Sequence, residues 1–165
     1  MKNKLTRRLA VCSILAALYA GLTILTSAFS YGQVQFRVAE ALGVLCCFDP
    51  MLGIGVTAGC FCANILSTVG PFDMLFGTAA TALSCFLMGK IRSPWLLPLP
   101  NVLLNGLIVG GEMALVQTPA NFFGGLVLFG APVAVGELVV MCLLGIPLFF
   151  AVKKSSRLQK LVCGK

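Results

Sequence analysis

Histidine is absent from this 165-residue chain, acidic residues number only five and tryptophan occurs once. Without histidine, a serine or cysteine nucleophile lacks its usual general base, and a common nitrogen ligand for transition metals is missing. The sequence holds no Gly-x-x-x-x-Gly-Lys-Ser/Thr loop to cradle nucleotide phosphates, which excludes ATP hydrolysis by that route. Gly53-Ile54-Gly55 is a fragment of a dinucleotide fingerprint, but it lies in an apolar run with no strand before it and its third glycine is misplaced. Of the eight cysteines, only Cys46-Cys47 and Cys60-x-Cys62 are close pairs, and neither has zinc-site spacing. They read as small apolar filler. The expectation is a protein with no catalytic residues, no metal and no cofactor.

Charge is scarce too, at 10% of residues against 59% hydrophobic, and the mean hydropathy is +1.01. That much apolar surface belongs in a bilayer. All lysines and arginines except Arg37 lie in three clusters: Lys2, Lys4, Arg7 and Arg8; Lys90 and Arg92; and Lys153, Lys154, Arg157, Lys160 and Lys165. Each cluster flanks an apolar run, as basic residues do on the cytoplasmic side of a membrane. No basic face is left over for nucleic acid, despite a net charge of +7.

Residues 9–29 are long enough to cross the hydrocarbon layer, longer than a usual signal-peptide core, and followed by no good small-x-small cleavage site. They read as a helix running from inside to outside. Asp49-Pro50 divides residues 38–66, since aspartate caps helices and proline begins them. A single span there would put Lys90, Arg92 and the basic C-terminus outside, so two short spans, 38–48 and 51–66, are expected. Spans at 74–88, 100–116 and 132–152 follow. The fold class expected is an all-α integral membrane protein, one domain over residues 1–165, built as a six-transmembrane-helix bundle with both termini cytoplasmic. The Gly/Phe-rich segment 121–131 has too many glycines for a steady helix and reads as an outer loop or half-helix. Ala16 and Ala20, Ser13, Ala17 and Gly21, and Gly55 and Gly59 form small-xxx-small faces for close helix approach, within the bundle or against a partner.

The remaining polar residues are candidates for an internal site. Glu40 follows Arg37 by three positions, so the two share a helical face, with Arg37 positioning Glu40. Asp73 opens the fourth span close to Asn64 and is placed to cap it. Asn101, Asn105 and Glu112 lie within about 40° of one another on the fifth span. Glu137 sits a turn and a half inside the outer end of the sixth, where a carboxylate costs about 3 kcal/mol unless it faces a partner or a cavity. Four acids against one arginine call for a cationic or donor-rich ligand; the structural alternative is a network that braces the bundle. Phe29, Tyr31, Phe36, Phe72, Phe76, Phe122 and Phe123 gather at the same end, as interface anchors or as a stacking surface for a flat heterocycle.

The runs Gln35-Phe36-Arg37-Val38-Ala39-Glu40-Ala41-Leu42, Ala63-Asn64, Asp73-Met74-Leu75-Phe76-Gly77-Thr78, Gly136-Glu137 and Gly145-Ile146-Pro147 closely resemble the QueT family of queuosine-precursor transporters. These are substrate-binding (S) components of energy-coupling factor (ECF) transporters. The resemblance implies a non-catalytic, multi-pass protein of the bacterial plasma membrane that binds a deazaguanine, either the aminomethyl precursor or queuine, near its outer face. It also implies a transmembrane coupling protein of the EcfT type and two ATPases, which drive toppling of the S component toward the cytoplasm. Ala16 and Ala20 match the face that S components present to the coupling protein. The expected ligand groups are Glu40, Glu137, Asp73, Asn64, Glu112, Asn105, Arg37 and Phe36. A small ion-coupled carrier or channel with Glu112 and Glu137 as a relay is the alternative.

Overall fold

The computed structural model describes residues 2–30, 34–67 and 70–163, with side chains from Leu5 onward. Tyr31, Lys165 and the side chains of Lys2 and Lys4 lie outside the described set. The described residues form helices and connecting turns, with no strand among them. The chain runs through α1 (Lys2–Leu25), a 3-10 helix (Val38–Cys47), α2 (Leu52–Asn64), α3 (Pro71–Met88), α4 (Pro94–Gln117), α5 (Pro119–Lys154) and α6 (Ser156–Cys163). The first, α3, α4 and α5 are long and apolar enough to cross a membrane; the 3-10 helix and α2 are shorter apolar helices. The chain is thus a helical membrane protein.

Local chemistry explains the breaks. Asp49 Oδ1 accepts from the Met51 amide at 3.1 Å and separates the 3-10 helix from α2. Gly70, at φ +71, turns the chain into α3, whose first residue is Pro71. Asn121 Oδ1 accepts from the Gly124 amide at 3.2 Å and caps the long helical part of α5.

The segment 121–131 corrects the sequence-based expectation of an outer loop or half-helix, because it is continuous with the last long helix. Its glycines are contact surface. A Cβ on Gly130 would fall 2.5 Å from the Gly106 carbonyl, and one on Gly125 would press on Thr118 and Ala114. Close packing of α5 on α4 outweighs the low helix propensity of glycine. Turns of π-helix at Asn105–Val109 and Met141–Gly145 interrupt α4 and α5. If straight, the 36 residues of α5 would reach about 54 Å, well beyond a hydrocarbon layer of about 30 Å.

Packing partners fix the relative directions. Cβ atoms on Gly55 and Gly59 would strike the backbone of Cys12 and Ala16, so α1 and α2 run parallel. The intervening 3-10 helix runs the other way: Glu40 meets Tyr19 near its start, and Leu45 packs with Cys12 and Leu15 near its end. Ala16 is therefore packed within the bundle, whereas Ser13 and Ala17 are exposed. Residues next to the three basic clusters share one end of the molecule: Arg8 pairs with Asp49 at 2.9 Å, Cys47 Sγ donates to the Met88 carbonyl, and Arg7 donates to the Lys160 carbonyl at 2.6 Å. Asp73, at the other end of α3, lies about 22 Å from Met88 along that helix axis.

Candidate ligand-binding site

Five elements, the 3-10 helix and α2 to α5, converge on a buried polar cluster in which Arg37, Glu40, Asn64, Asp73, Asn101, Glu112 and Glu137 each expose no more than 2% of their surface. Arg37 precedes the 3-10 helix with φ −79 and ψ 84, outside helical geometry. Its guanidinium therefore does not share a face with Glu40. It reaches across to α3, where Nη2 donates to Asp73 Oδ2 at 2.8 Å. This corrects the sequence-based pairing of Arg37 with Glu40. Asp73 does not cap α3 either: Gly70 holds that position, with no side-chain cap bond. Gly77 makes room for the pair, since a Cβ there would overlap the Asp73 carboxylate.

Glu40 is held from two sides. The Tyr19 hydroxyl donates to its Oε1 at 2.5 Å and the Thr81 hydroxyl to the same oxygen at 2.7 Å. Asn101 Nδ2 donates to Glu137 Oε2 at 2.6 Å. Asn64 Nδ2 donates to the Asp73 carbonyl at 2.9 Å. Gly136, beside Glu137, lets the backbone of Gln35 rest on α5, because a Cβ there would lie 2.6 Å from the Gln35 carbonyl. That contact seats the segment bearing Arg37.

The cluster has two tiers. Asp73, Asn64 and Glu112 form the one farther from the basic end of the molecule, here the outer tier, with the Arg37 guanidinium beside Asp73. Glu40, Thr81, Tyr19, Asn101 and Glu137 form the inner one. Along α3, Asp73 and Thr81 are about 12 Å apart, and along α4, Asn101 and Glu112 about 16 Å. Glu137 sits deeper than the sequence suggests, because α5 begins at Pro119, about 27 Å before it. Glu112 and Glu137, which a proton relay would need in contact, stand on different tiers.

Seven oxygens in these tiers take no hydrogen bond from any described residue: Glu40 Oε2, Asn64 Oδ1, Asp73 Oδ1, Asn101 Oδ1, Glu112 Oε1 and Oε2, and Glu137 Oε1. A buried polar atom left unpaired costs about 1–3 kcal/mol. A cluster that only braced the bundle would have donors matched to acceptors. This one is rich in unmatched acceptors.

Not every expected residue joins it. Asn105 Nδ2 donates to the Asn101 carbonyl one turn back at 3.1 Å, so that amide serves its own helix. Phe36 is half-buried, and Phe29, Phe72 and Phe123 face outward. The aromatic side chain that touches an acid is Tyr19, which the sequence reading overlooked along with Thr81; Asn101 was visible in the polar stripe. A groove of about 630 Å³ between α2 and α3, lined by Ile54, Phe61, Thr78 and Phe86 among others, carries no charged side chain. It suits lipid chains, not a donor-rich ligand.

Residues 9–154 match the family model described as QueT transporter. Over 83 residues the chain is 44% identical to a protein of Lactococcus lactis subsp. cremoris (strain MG1363) named queuosine precursor transporter QueT, covering 49% of this chain and 48% of that protein. The chain thus spans about half the length of the curated relative it matches. No solved structure matches it. The family match extends from the second turn of α1 to the last residue of α5 and takes in every residue of the two tiers, so the chain belongs to the QueT transporter family.

Proposed function

We propose that this protein is the substrate-binding subunit of an ECF-type importer and that it captures a queuosine precursor in the two-tier cluster. The observation that carries the reading is the set of seven buried oxygens without donors. A deazaguanine with an aminomethyl group brings what they lack: N–H donors along a guanine-like edge and a cationic amine. The name of the Lactococcus lactis relative points to the same ligand class.

In this reading the chain crosses the membrane six times with both termini in the cytoplasm. Parity and the shared basic end support that orientation. The 3-10 helix and α2 are the two short crossings, and the outer tier faces the entry side. Glu40, Glu137, Asp73, Asn64 and Glu112 are the ligand groups, with Arg37 holding Asp73. Asn105 and Phe36 support the site from their own elements. The cluster opens to admit the ligand without partners, and partner ATPases acting through a coupling protein supply the work of toppling, which delivers the ligand to the cytoplasm. Contact with that protein uses the small-residue side of α1 near Ala16 and Ala20; Ser13 and Ala17 are its outward-facing members.

Calorimetry of the purified protein against guanine, the aminomethyl deazaguanine and queuine tests the reading. Saturable binding of a deazaguanine, tighter than guanine, is expected; no binding of either deazaguanine would refute it. The partner face has its own test. Tryptophan at Ala17 is expected to leave binding intact and block transport in the assembled complex, and normal transport would remove that face from the interface.

A further inference from the structure

The tiers differ in their free acceptors, and the difference bears on specificity. In the inner tier each carboxylate has one oxygen occupied: Glu40 Oε1 by Tyr19 and Thr81, and Glu137 Oε2 by Asn101. What remains there is Glu40 Oε2, Glu137 Oε1 and Asn101 Oδ1, three acceptors on side chains already fixed in direction. Fixed acceptors suit the flat N–H edge of a heterocycle. In the outer tier Glu112 has neither oxygen occupied, and Asp73 Oδ1 is free as well. The charges that act on Glu112 are those of Asp73 and Arg37. Arg37 is already paired with Asp73 at 2.8 Å, and no described residue donates to Glu112.

Three free carboxyl oxygens match an alkylammonium, which brings three N–H donors and a positive charge that favours the ionised form of the carboxyls it meets. We infer that Glu112, with Asp73 Oδ1, forms an amine subsite that selects precursors bearing an alkylammonium over precursors with the same ring and no charge. The inference rests on the proposed function and adds which end of the ligand each tier holds. Glu112 becomes the specificity-determining residue, and Glu137 with Asn101 reads the ring whatever the substituent.

The test compares two ligands: the aminomethyl deazaguanine, and the same bicycle with a neutral nitrile in place of the aminomethyl group. Calorimetry on the wild type is expected to show the amine ligand bound at least about tenfold more tightly. Glu112→Gln is expected to weaken the amine ligand by about tenfold to a hundredfold and leave the nitrile ligand unchanged, while Glu137→Gln weakens both alike. Unchanged nitrile binding also reports that the Glu112→Gln variant is folded. Glu112→Asp, which keeps the charge, should retain part of the preference. Equal loss of both ligands in Glu112→Gln, or no loss, overturns the amine subsite while leaving the proposed function standing. A wild type that does not discriminate between the ligands overturns it without any variant. A wild type that binds neither refutes the proposed function, and the subsite with it.

Discussion

Asp49 and Glu112 are both buried acids in an apolar chain, and the molecule treats them in opposite ways. Asp49, at the basic end, pairs with Arg8 at 2.9 Å and accepts from the Met51 amide at 3.1 Å. Glu112, in the outer tier, accepts from no described residue. One acid is built into the frame, where its oxygens hold the turn before α2 and tie α1 to it. The other is held in a protein interior without a donor. Burial alone therefore does not distinguish the two acids; the Arg8 ion pair and the Met51 amide do.

The two groups of acids are expected to respond differently to removal of charge. The largest effect is expected from Glu40→Gln combined with Glu137→Gln. Each loses a charge-assisted bond to ligand, so affinity should drop by more than about a hundredfold. The melting temperature should hold or rise, since two under-satisfied buried charges are gone. Calorimetry and a melting curve on one detergent preparation check both halves, and a large loss of stability with normal affinity would move these acids into the frame with Asp49.

Gly77→Ala probes the seam between frame and site. The added methyl overlaps the Asp73 carboxylate and pushes it from Arg37, a crowding effect of about 1–3 kcal/mol. Ligand affinity is expected to fall by about tenfold; an unaltered Kd would show that Asp73 and ligand do not meet.

The smallest effect is expected at Asp49. Asp49→Ala loses one side-chain to backbone hydrogen bond in the turn before α2, worth about 1 kcal/mol. The Arg8 partner is 44% exposed, so the ion pair adds little. Stability should drop slightly while ligand affinity stays the same, and a change in affinity would break the comparison from the other side.

How much of this was legible in the sequence follows the same division. Hydropathy and the placement of lysine and arginine gave the membrane class, and the rarity of acids in apolar runs singled out Glu40, Asp73, Glu112 and Glu137. Both depend on composition near each residue. The pairings depend on geometry that composition does not carry. Arg37 was assigned to Glu40 by assuming a regular helix through both, whereas the chain is non-helical at Arg37 and 3-10 beyond it, which turns the guanidinium to Asp73. Tyr19 and Thr81 stayed hidden because one hydroxyl in an apolar helix has no periodic signature. The length of α5 is not legible from glycine propensity alone, because it depends on the neighbouring helix, whose Gly106 and Gly110 meet Gly130 directly.

The central claim is that the unmatched buried acids bind ligand and do not brace the bundle, and Glu137→Gln tests it most directly. Glu137 takes one donor, from Asn101 at 2.6 Å, and glutamine keeps its shape while removing its charge. Calorimetry with the aminomethyl deazaguanine, paired with a melting curve of the same sample, is expected to show affinity reduced by about tenfold to a hundredfold in a protein that melts no lower than the wild type. Unchanged affinity in a well-folded Glu137→Gln variant would contradict the account.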